Sequence, residues 1–288
     1  MIPVPFLDLD DDGDDFNDFP PNYHNTHTLN DIDSQICQNA GLRILSVIRS
    51  TENSTVYDAQ SISDDLLWAV KVTDHKKQVQ IEYDRRQDLP DSPYLVKSIN
   101  LYMTPTKAIL QMELCEEGDI QNLFLEENLI WILIHDISEA LYHLHSNNWM
   151  HLDVSPGNIL STENNFKLAD FGTLLKIGTF EEGREGAGPY CSPETLSFPY
   201  GPPVGAPTDI FSFGVVLFEL ASHQRAPRGG SEGYVKIRNE TLKLGSPGYE
   251  CNMSDELISL INQMLSQDPD KRPTTEAILM HPKVQNPC

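Results

Sequence analysis

Apolar residues in the second half of the chain recur with the period of an α-helix. Six of them are spaced to share one face of a single long helix, namely Ile130, Leu133, Ile134, Ile137, Leu141 and Leu144. The longest apolar stretch of the chain, residues 210–221, predicts a second buried helix. Ser254 is predicted to cap a third helix, because Asp255 and Glu256 follow it in what would be the first turn. Its apolar face would be Leu257, Ile261, Met264 and Leu265.

Before residue 112 the pattern is typical of strands with one helix. Residues 55–57 form a β-branched and aromatic run, and residues 66–72 predict its hairpin partner. Residues 76–89 predict a helix that ends before Pro90, and residues 108–114 predict a further strand. The fold class is therefore α+β: a small β-rich lobe over about residues 41–115 and a larger helical lobe over about 118–287. A cleft between two such lobes is a natural ligand site.

The first 40 residues differ from the rest in composition. They hold nine Asp and no Lys, Arg or Glu, so we expect a disordered acidic tail, since such a segment buries too little apolar surface to offset its ordering entropy. A docking segment built on Phe6, Phe16 and Phe19 is the alternative. The net charge of −23 argues against nonspecific binding to nucleic acids or anionic membranes.

Membrane and extracellular classes are also disfavoured. No apolar run reaches the 18 residues that a transmembrane helix needs, and no signal peptide is recognisable. The five cysteines are scattered and form no CxxC pair. Scattered thiols in odd number favour a reduced intracellular compartment over a disulfide framework or a zinc site.

One lysine lies inside an apolar strand. Lys71 follows Ala69 on the same face of the run 68–72, so Lys71 is a candidate phosphate clamp and Ala69 a candidate roof for an adenine. Glu82, eleven residues on, lies on the predicted helix and is a candidate partner for the lysine. A lysine that snorkels from an edge strand explains the same residue equally well.

Two candidate groups for phosphoryl transfer follow the long helix. Asp153 and Asn158 lie five residues apart in the run His151-Leu152-Asp153-Val154-Ser155-Pro156-Gly157-Asn158. Asp153 would accept the proton of an attacking hydroxyl, and the Asn158 amide oxygen would hold Mg²⁺. An Asx-rich turn is the alternative for this octapeptide alone.

A third candidate group comes twelve residues after Asn158. Asp170, in Leu168-Ala169-Asp170-Phe171-Gly172, offers a carboxylate to the same kind of hard cation. A strand, a turn at residues 164–165 and a returning strand at 166–168 fit between the two sites. Further motifs lie at residues 192–194, 209–214 and 268–273, where Glu194 and Arg272 are candidates for a structural ion pair.

Six motifs in this order over more than 200 residues resemble the protein kinase superfamily. The resemblance covers about residues 41–287. The runs Leu144-His145-Ser146, His151-Leu152-Asp153-Val154, Gln111-Met112-Glu113-Leu114-Cys115 and Asp170-Phe171-Gly172-Thr173-Leu174-Leu175 are similar to the Wee family, in its membrane-associated tyrosine- and threonine-specific branch.

This resemblance implies a function, cofactors and partners. It implies transfer of the γ-phosphate of ATP, with Mg²⁺, to the inhibitory Tyr or the adjacent Thr of a cyclin-dependent kinase. It implies Asp153, Lys71 and Glu82 as catalytic residues and Asn158 and Asp170 as metal ligands. The nucleotide-binding residues would be Ile48, Val56, Ala69, Lys71, Glu113, Cys115 and Leu160. We expect a monomer in the nucleus or the cytoplasm, without a transmembrane anchor.

The chain departs from the kinase pattern at two places. A phosphate-covering loop should have three glycines, but this chain has Arg49, Thr51 and Ser54 at those positions. Because their side chains should hold the loop further from the phosphates, ATP affinity is expected to be low. Ser155 stands where a lysine is usual, and losing one such cation costs about 10²–10³ in rate, by analogy with removing one oxyanion donor. A pseudokinase acting as a binding module therefore stays open as the alternative function, and a small-molecule kinase is a third class.

Overall fold

A computed structural model describes residues 30–181, 188–226 and 242–286. Its helices are α1 Asp31–Asn39, α2 Lys76–Gln87, α3 Glu127–Ser146, α4 Pro193–Leu196, α5 Ala206–Ser222, α6 Asp255–Met264, α7 Thr275–Leu279 and α8 Pro282–Gln285. Three short 3₁₀ helices cover Pro156–Asn158, Gly188–Tyr190 and Pro269–Lys271. The strands are β1 Leu42–Ser50, β2 Ser54–Ser61, β3 Leu67–Thr73, β4 Ser98–Met103, β5 Ala108–Met112, β6 Gly118–Asp119, β7 Trp149–Met150, β8 Ile159–Ser161, β9 Phe166–Leu168 and β10 Leu175–Lys176.

The described residues divide into two compact units. The sheet unit consists of residues 30–83 and 97–114, and the helical unit consists of residues 84–96 and the described part of 115–286. The predicted α+β class is confirmed. The predicted β-rich lobe of residues 41–115 is not one continuous unit, because residues 94–96 hydrogen-bond to Leu168 in β9 and so belong with the helical unit.

The sheet unit is built on five antiparallel strands in the order β1-β2-β3-β5-β4. One face of the sheet carries Tyr57, Val70 and Ile109 and packs against Cys37 of α1. Other strand residues, Ala108 and Leu110, pack against Val79 of α2. Burial on both faces explains why β3 and β5 are almost continuously apolar rather than alternating.

Helix α1 corrects one prediction. Residues 30–39 were expected in a disordered tail, but Asn30 caps a helix there and Asp33 is buried. Tyr57 donates to one carboxylate oxygen of Asp33 at 2.7 Å, and the Lys107 ammonium lies 2.9 Å from the other. Those two partners satisfy the buried charge, and burial raises the pKa of the Cys37 thiol beside it to about 12. Residues 1–29, the remainder of the predicted tail, lie outside the described residues.

The helical unit is built on α3 and α5. All six apolar residues predicted for one face of α3 are fully buried, and α5 is buried over nearly its whole length. Gly214 of α5 lies so close to α6 that a Cβ atom there would come within 2.9 Å of the Met264 Cβ. Ser254 caps α6 as predicted, accepting from the Leu257 amide. Within the described residues, no helix is long and apolar enough to cross a membrane.

Candidate active site

Three of the predicted site residues lie together on one face of the sheet unit. Val56 in β2 pairs directly with Lys71 in β3, and Ala69 pairs with Asp58, the next residue on the same face of β2. The Lys71 ammonium lies 2.8 Å from the Glu82 carboxylate, whose residue is buried on α2. The structure therefore forms the lysine–glutamate pair that the sequence left open, and Lys71 is not an edge-strand lysine.

The other predicted nucleotide contacts follow the same strands or lie in the helical unit. Ile48 is half-buried in β1, within an irregularity between Val47 and Arg49. Glu113 follows β5, donates its amide to the Lys97 carbonyl at 2.9 Å and accepts the Lys97 amide on its carboxylate. Cys115 is buried, and Leu160 is half-buried in β8.

The turn between β1 and β2 is closed by side chains where glycines were expected. Thr51 donates its hydroxyl to the Ser54 carbonyl at 3.1 Å and accepts the Ser54 amide at 3.2 Å. Asn53 in the same turn accepts the Thr73 hydroxyl on its carbonyl at 2.7 Å, and its side-chain oxygen lies 3.0 Å from a ring nitrogen of His75. The turn is therefore tied to the end of β3 rather than free to move as a glycine loop would be.

Asp153 and Asn158 are joined directly. The Asn158 amide nitrogen donates to the Asp153 carbonyl at 2.9 Å and to its carboxylate at 2.8 Å. The Asn158 carbonyl accepts the Ala169 amide at 2.8 Å, which holds the residue before Asp170 against the same segment. The structure thus brings Asp153, Asn158 and the residue before Asp170 into one hydrogen-bonded frame.

The backbone at Asp170 has an uncommon conformation. Its φ angle is 60°, in the left-handed region that Asp tolerates better than most residues. Its carboxylate accepts the amide of Gly172 at 3.1 Å, two residues on. This short-range bond fixes the carboxylate relative to the turn that follows it.

Asp209 supports the segment that carries Asp153, a role not recognised from the sequence. One carboxylate oxygen accepts the His151 amide and the other accepts the Leu152 amide, each at 2.8 Å. A ring nitrogen of His145 lies 2.9 Å from the oxygen that accepts the His151 amide. Burial raises the pKa of Asp209, but the bonds and charge of the two histidines outweigh it, so the pKa is lowered. The signal available was its position at the start of a buried helix, where a charged residue needs partners.

The apolar residue Leu152 lies in the left-handed region with a φ angle of 68°. Its side chain is 5% exposed and belongs to a cluster with Met150, Phe180 and Val204. Phe180 lies in the segment after Asp170, so this leucine cluster joins the segment before Asp153 to the segment after Asp170.

The ion pair expected between Glu194 and Arg272 also forms. Arg272 donates to both Glu194 oxygens, at 2.6 and 2.8 Å.

Oxygen donors suited to a divalent cation are present. Asn158 and Asp170 offer an amide and a carboxylate oxygen, the ligand types that Mg²⁺ prefers. The Asn158 nitrogen is the end that faces Asp153, so its oxygen is the end offered to a cation. The described residues contain no group of three or more His, Cys, Asp or Glu that could hold a metal ion.

Comparison with known proteins matches most of the chain. Residues 44–284 match the family described as protein kinase domain. The membrane-associated tyrosine- and threonine-specific cdc2-inhibitory kinase wee-1.3 of Caenorhabditis briggsae is 33% identical over 78% of this chain and 35% of its own length. The kinase of the same description from Drosophila melanogaster is 30% identical over 80% of this chain and 44% of its own length.

A fungal protein matches over a longer part. The mitosis inhibitor protein kinase mik1 of Schizosaccharomyces pombe is 28% identical over 92% of this chain and 51% of its own length. The chain therefore spans about one third to one half of the length of these relatives.

Proposed function

Since this chain belongs to the protein kinase family and resembles the Wee kinases, we propose that it is an active enzyme that transfers the γ-phosphate of ATP to a hydroxyl group of a protein. The observation that carries the proposal is the bond between Asn158 and Asp153. It fixes a carboxylate that can accept a proton next to an amide that can bind a cation.

The predicted catalytic residues have distinct chemical roles in the proposed reaction. Asp153 orients the attacking hydroxyl and accepts its proton as the new phosphate ester forms. Lys71, held by Glu82, neutralises charge on the nucleotide phosphates. Val56 and Ala69 on the same sheet face contribute the apolar surface for the adenine.

Asn158 and Asp170 would hold Mg²⁺. Bound there, the ion would neutralise negative charge on the phosphates. The chain's own part is to keep the two oxygen ligands in fixed positions, and the bonds from Asn158 to Asp153 and from Gly172 to Asp170 do this. Ser155 adds no cation, so turnover should be below that of kinases with a lysine there.

We propose a cyclin-dependent kinase as the protein substrate, modified at its inhibitory Tyr or Thr. The support is the similarity to kinases described as tyrosine- and threonine-specific and cdc2-inhibitory. The reaction would restrain entry into mitosis and take place in the nucleus or the cytoplasm.

The test is transfer of labelled phosphate to a cyclin-dependent kinase–cyclin complex. We expect Asp153→Asn and Asp170→Asn each to abolish transfer while the melting temperature stays close to that of the wild type. Asp91→Asn, at an exposed position outside the site, is the matched control and should keep full activity. If both site variants match the wild type, the assignment is wrong. If the wild type binds Mg²⁺–ATP but transfers nothing, the chain is a binding module.

A further inference from the structure

Asp58 in β2 has a carboxylate oxygen that nothing in the described part of the chain satisfies. Its Oδ1 is buried without a hydrogen-bond partner, and the residue forms no ion pair with any described residue. Burial raises the pKa of its carboxyl. Buried polar groups are nearly always hydrogen-bonded, and leaving one unpaired costs stability. An unpaired carboxylate on this sheet therefore requires a reason other than folding.

The position of Asp58 in the strand register indicates that reason. Asp58 follows Val56 on the same face of β2 and pairs directly with Ala69 in β3. Val56 in turn pairs with Lys71. These three neighbours are all residues that the sequence predicted as nucleotide contacts. The unpaired carboxylate therefore lies on the sheet face predicted for the nucleotide, beside the two residues predicted to cover the adenine.

Two cations at positions diagonal to Asp58 are engaged elsewhere. The Lys71 ammonium lies 2.8 Å from the Glu82 carboxylate. Arg43 in β1 lies opposite Gln60 and donates to the side-chain oxygen of that glutamine. Neither forms an ion pair with Asp58, although diagonal neighbours on a sheet face are within reach of long side chains. The carboxylate is therefore able to accept hydrogen bonds from a ligand that binds to this face.

A carboxylate discriminates between the chemical parts of ATP. The phosphate oxygens are negatively charged acceptors, so an ionised Asp58 would repel them. The nucleoside instead offers hydrogen-bond donors, namely the two ribose hydroxyls and the exocyclic amine of adenine. A hydrogen bond to a charged acceptor is stronger than one between neutral groups. The nucleoside is therefore the part of ATP that suits this carboxylate.

We propose that Asp58 is a nucleoside-binding residue that accepts a hydrogen bond from a donor group of ATP, either a ribose hydroxyl or the adenine amine. The proposal rests on the proposed function for the identity of the ligand, but it concerns binding and is testable without phosphate transfer. Such a bond adds affinity at the nucleoside, whereas the turn without glycines is expected to lose affinity at the phosphates. Asp58 was not recognised from the sequence, because strand alternation predicts the face of a residue but not whether its carboxylate stays unpaired.

The first test is calorimetry of ATP binding. We expect Asp58→Ala to weaken binding by about tenfold or more, since it removes a bond to a charged acceptor. Asp58→Asn should weaken it less, because the amide keeps an acceptor oxygen. Adenosine, which has the donors but no phosphate, should show the same loss in a thermal-shift titration. Asp31→Ala, at an exposed position of α1, removes the same charge and should match the wild type.

A carboxylate that only repels the phosphates gives the opposite result. Asp58→Ala would then bind ATP more tightly and adenosine no differently from the wild type, and this outcome would overturn the proposal.

The second test identifies the donor with three ATP analogues: 2′-deoxy-ATP, 3′-deoxy-ATP and purine riboside triphosphate, which lacks the amine. The analogue without the bonded donor should show a smaller difference in affinity between the wild type and Asp58→Ala, because the pair no longer exists in either protein. An equal loss of affinity for ATP and all three analogues would mean that no such bond forms, and the proposal would be wrong.

The melting temperature separates a binding role from a structural one. An unpaired carboxylate costs stability in the nucleotide-free protein, so Asp58→Asn and Asp58→Ala should melt no lower than the wild type. A loss of ATP affinity that comes with a fall of several degrees in both variants would show a structural role and overturn the proposal. Weaker binding in the variants of a protein whose wild type transfers no phosphate would keep the contact and refute only the proposed function. Unchanged binding in the variants of an active wild type would refute only the contact.

Discussion

Leu152 should make the proposed kinase activity independent of phosphorylation in the segment after Asp170. The residue stands where many kinases have an arginine that binds a phosphorylated segment, and an apolar side chain cannot pair with phosphate. Instead it lies in the leucine cluster with Met150, Phe180 and Val204. We infer that apolar burial does the work that a phosphate–arginine pair does elsewhere. The same segment carries Glu181, Glu182 and Glu185, whose negative charges would repel an added phosphate. Glu181 is exposed, and the other two glutamates lie outside the described residues.

The size of the effect follows from the burial of the side chain. Truncating a buried leucine to alanine costs about 2–5 kcal/mol, from lost transfer free energy and the remaining cavity. At about 3 kcal/mol the melting temperature of Leu152→Ala should fall by roughly 6–12 °C, at ~2–4 °C per kcal/mol for a domain of this size. The amide of residue 152 still reaches Asp209, so the segment that carries Asp153 should keep its backbone bonds. Leu152→Met conserves volume and should cost less than ~1.5 kcal/mol.

The assays are thermal and urea unfolding for stability, and labelled phosphate transfer before and after phosphatase treatment. Wild-type enzyme should keep its activity after the treatment. Leu152→Ala should lose turnover more than it loses affinity for ATP, because the loosened part is the segment after Asp170. Two results would refute the reasoning: a phosphatase-treated wild type that loses most of its activity, or a Leu152→Ala variant within about 0.5 kcal/mol of wild-type stability.

Three further predictions concern a missing cation, the closed turn and acid stability. Ser155→Lys should raise kcat with little change in KM for ATP, because the added charge acts mainly on the transition state; unchanged turnover counts against an active site short of one cation. The Thr51→Gly/Ser54→Gly variant should bind ATP more tightly by calorimetry, since the turn loses the bonds that hold it off the phosphates, and weaker or equal binding contradicts this. Burial raises the pKa of Glu194, but the bonds and charge of Arg272 outweigh it and lower the pKa overall. The pair therefore stabilises the fold above the ordinary Glu pKa of about 4.3. This stabilisation is lost as pH falls through the lowered pKa. Urea unfolding between pH 7 and pH 3 should therefore show a flatter acid dependence for Glu194→Gln than for the wild type, and parallel curves would exclude the pair as a cause.

Periodicity predicted the helices whose burial is one-sided and regular. The apolar face of α3 recurs with the period of a helix over four turns, and each of its residues is buried as expected. Strand β1 was not predicted as a separate element because two irregularities in its pairing, near Leu45 and Ile48, break the alternation that a strand normally shows.

Partners that are distant in sequence account for the remaining misses. Helix α1 is acidic and weakly apolar, so its order depends on Tyr57 and Lys107, which lie 24 and 74 residues after Asp33. The role of Asp209 similarly depends on backbone amides more than 50 residues away. A local pattern contains no signal for such contacts, because tertiary burial overrides intrinsic preference.

Helix α1 also bears on where the protein can be shortened. The match to the protein kinase family begins at residue 44, thirteen residues after the helix starts. A truncation at that boundary would uncover the apolar sheet face that Cys37 covers and remove the acceptor of the Tyr57 hydroxyl. Newly exposed strand faces favour self-association. Recombinant protein that starts at Asn30 or earlier should therefore be the soluble form, and residues 30–39 should be counted as part of the folding unit.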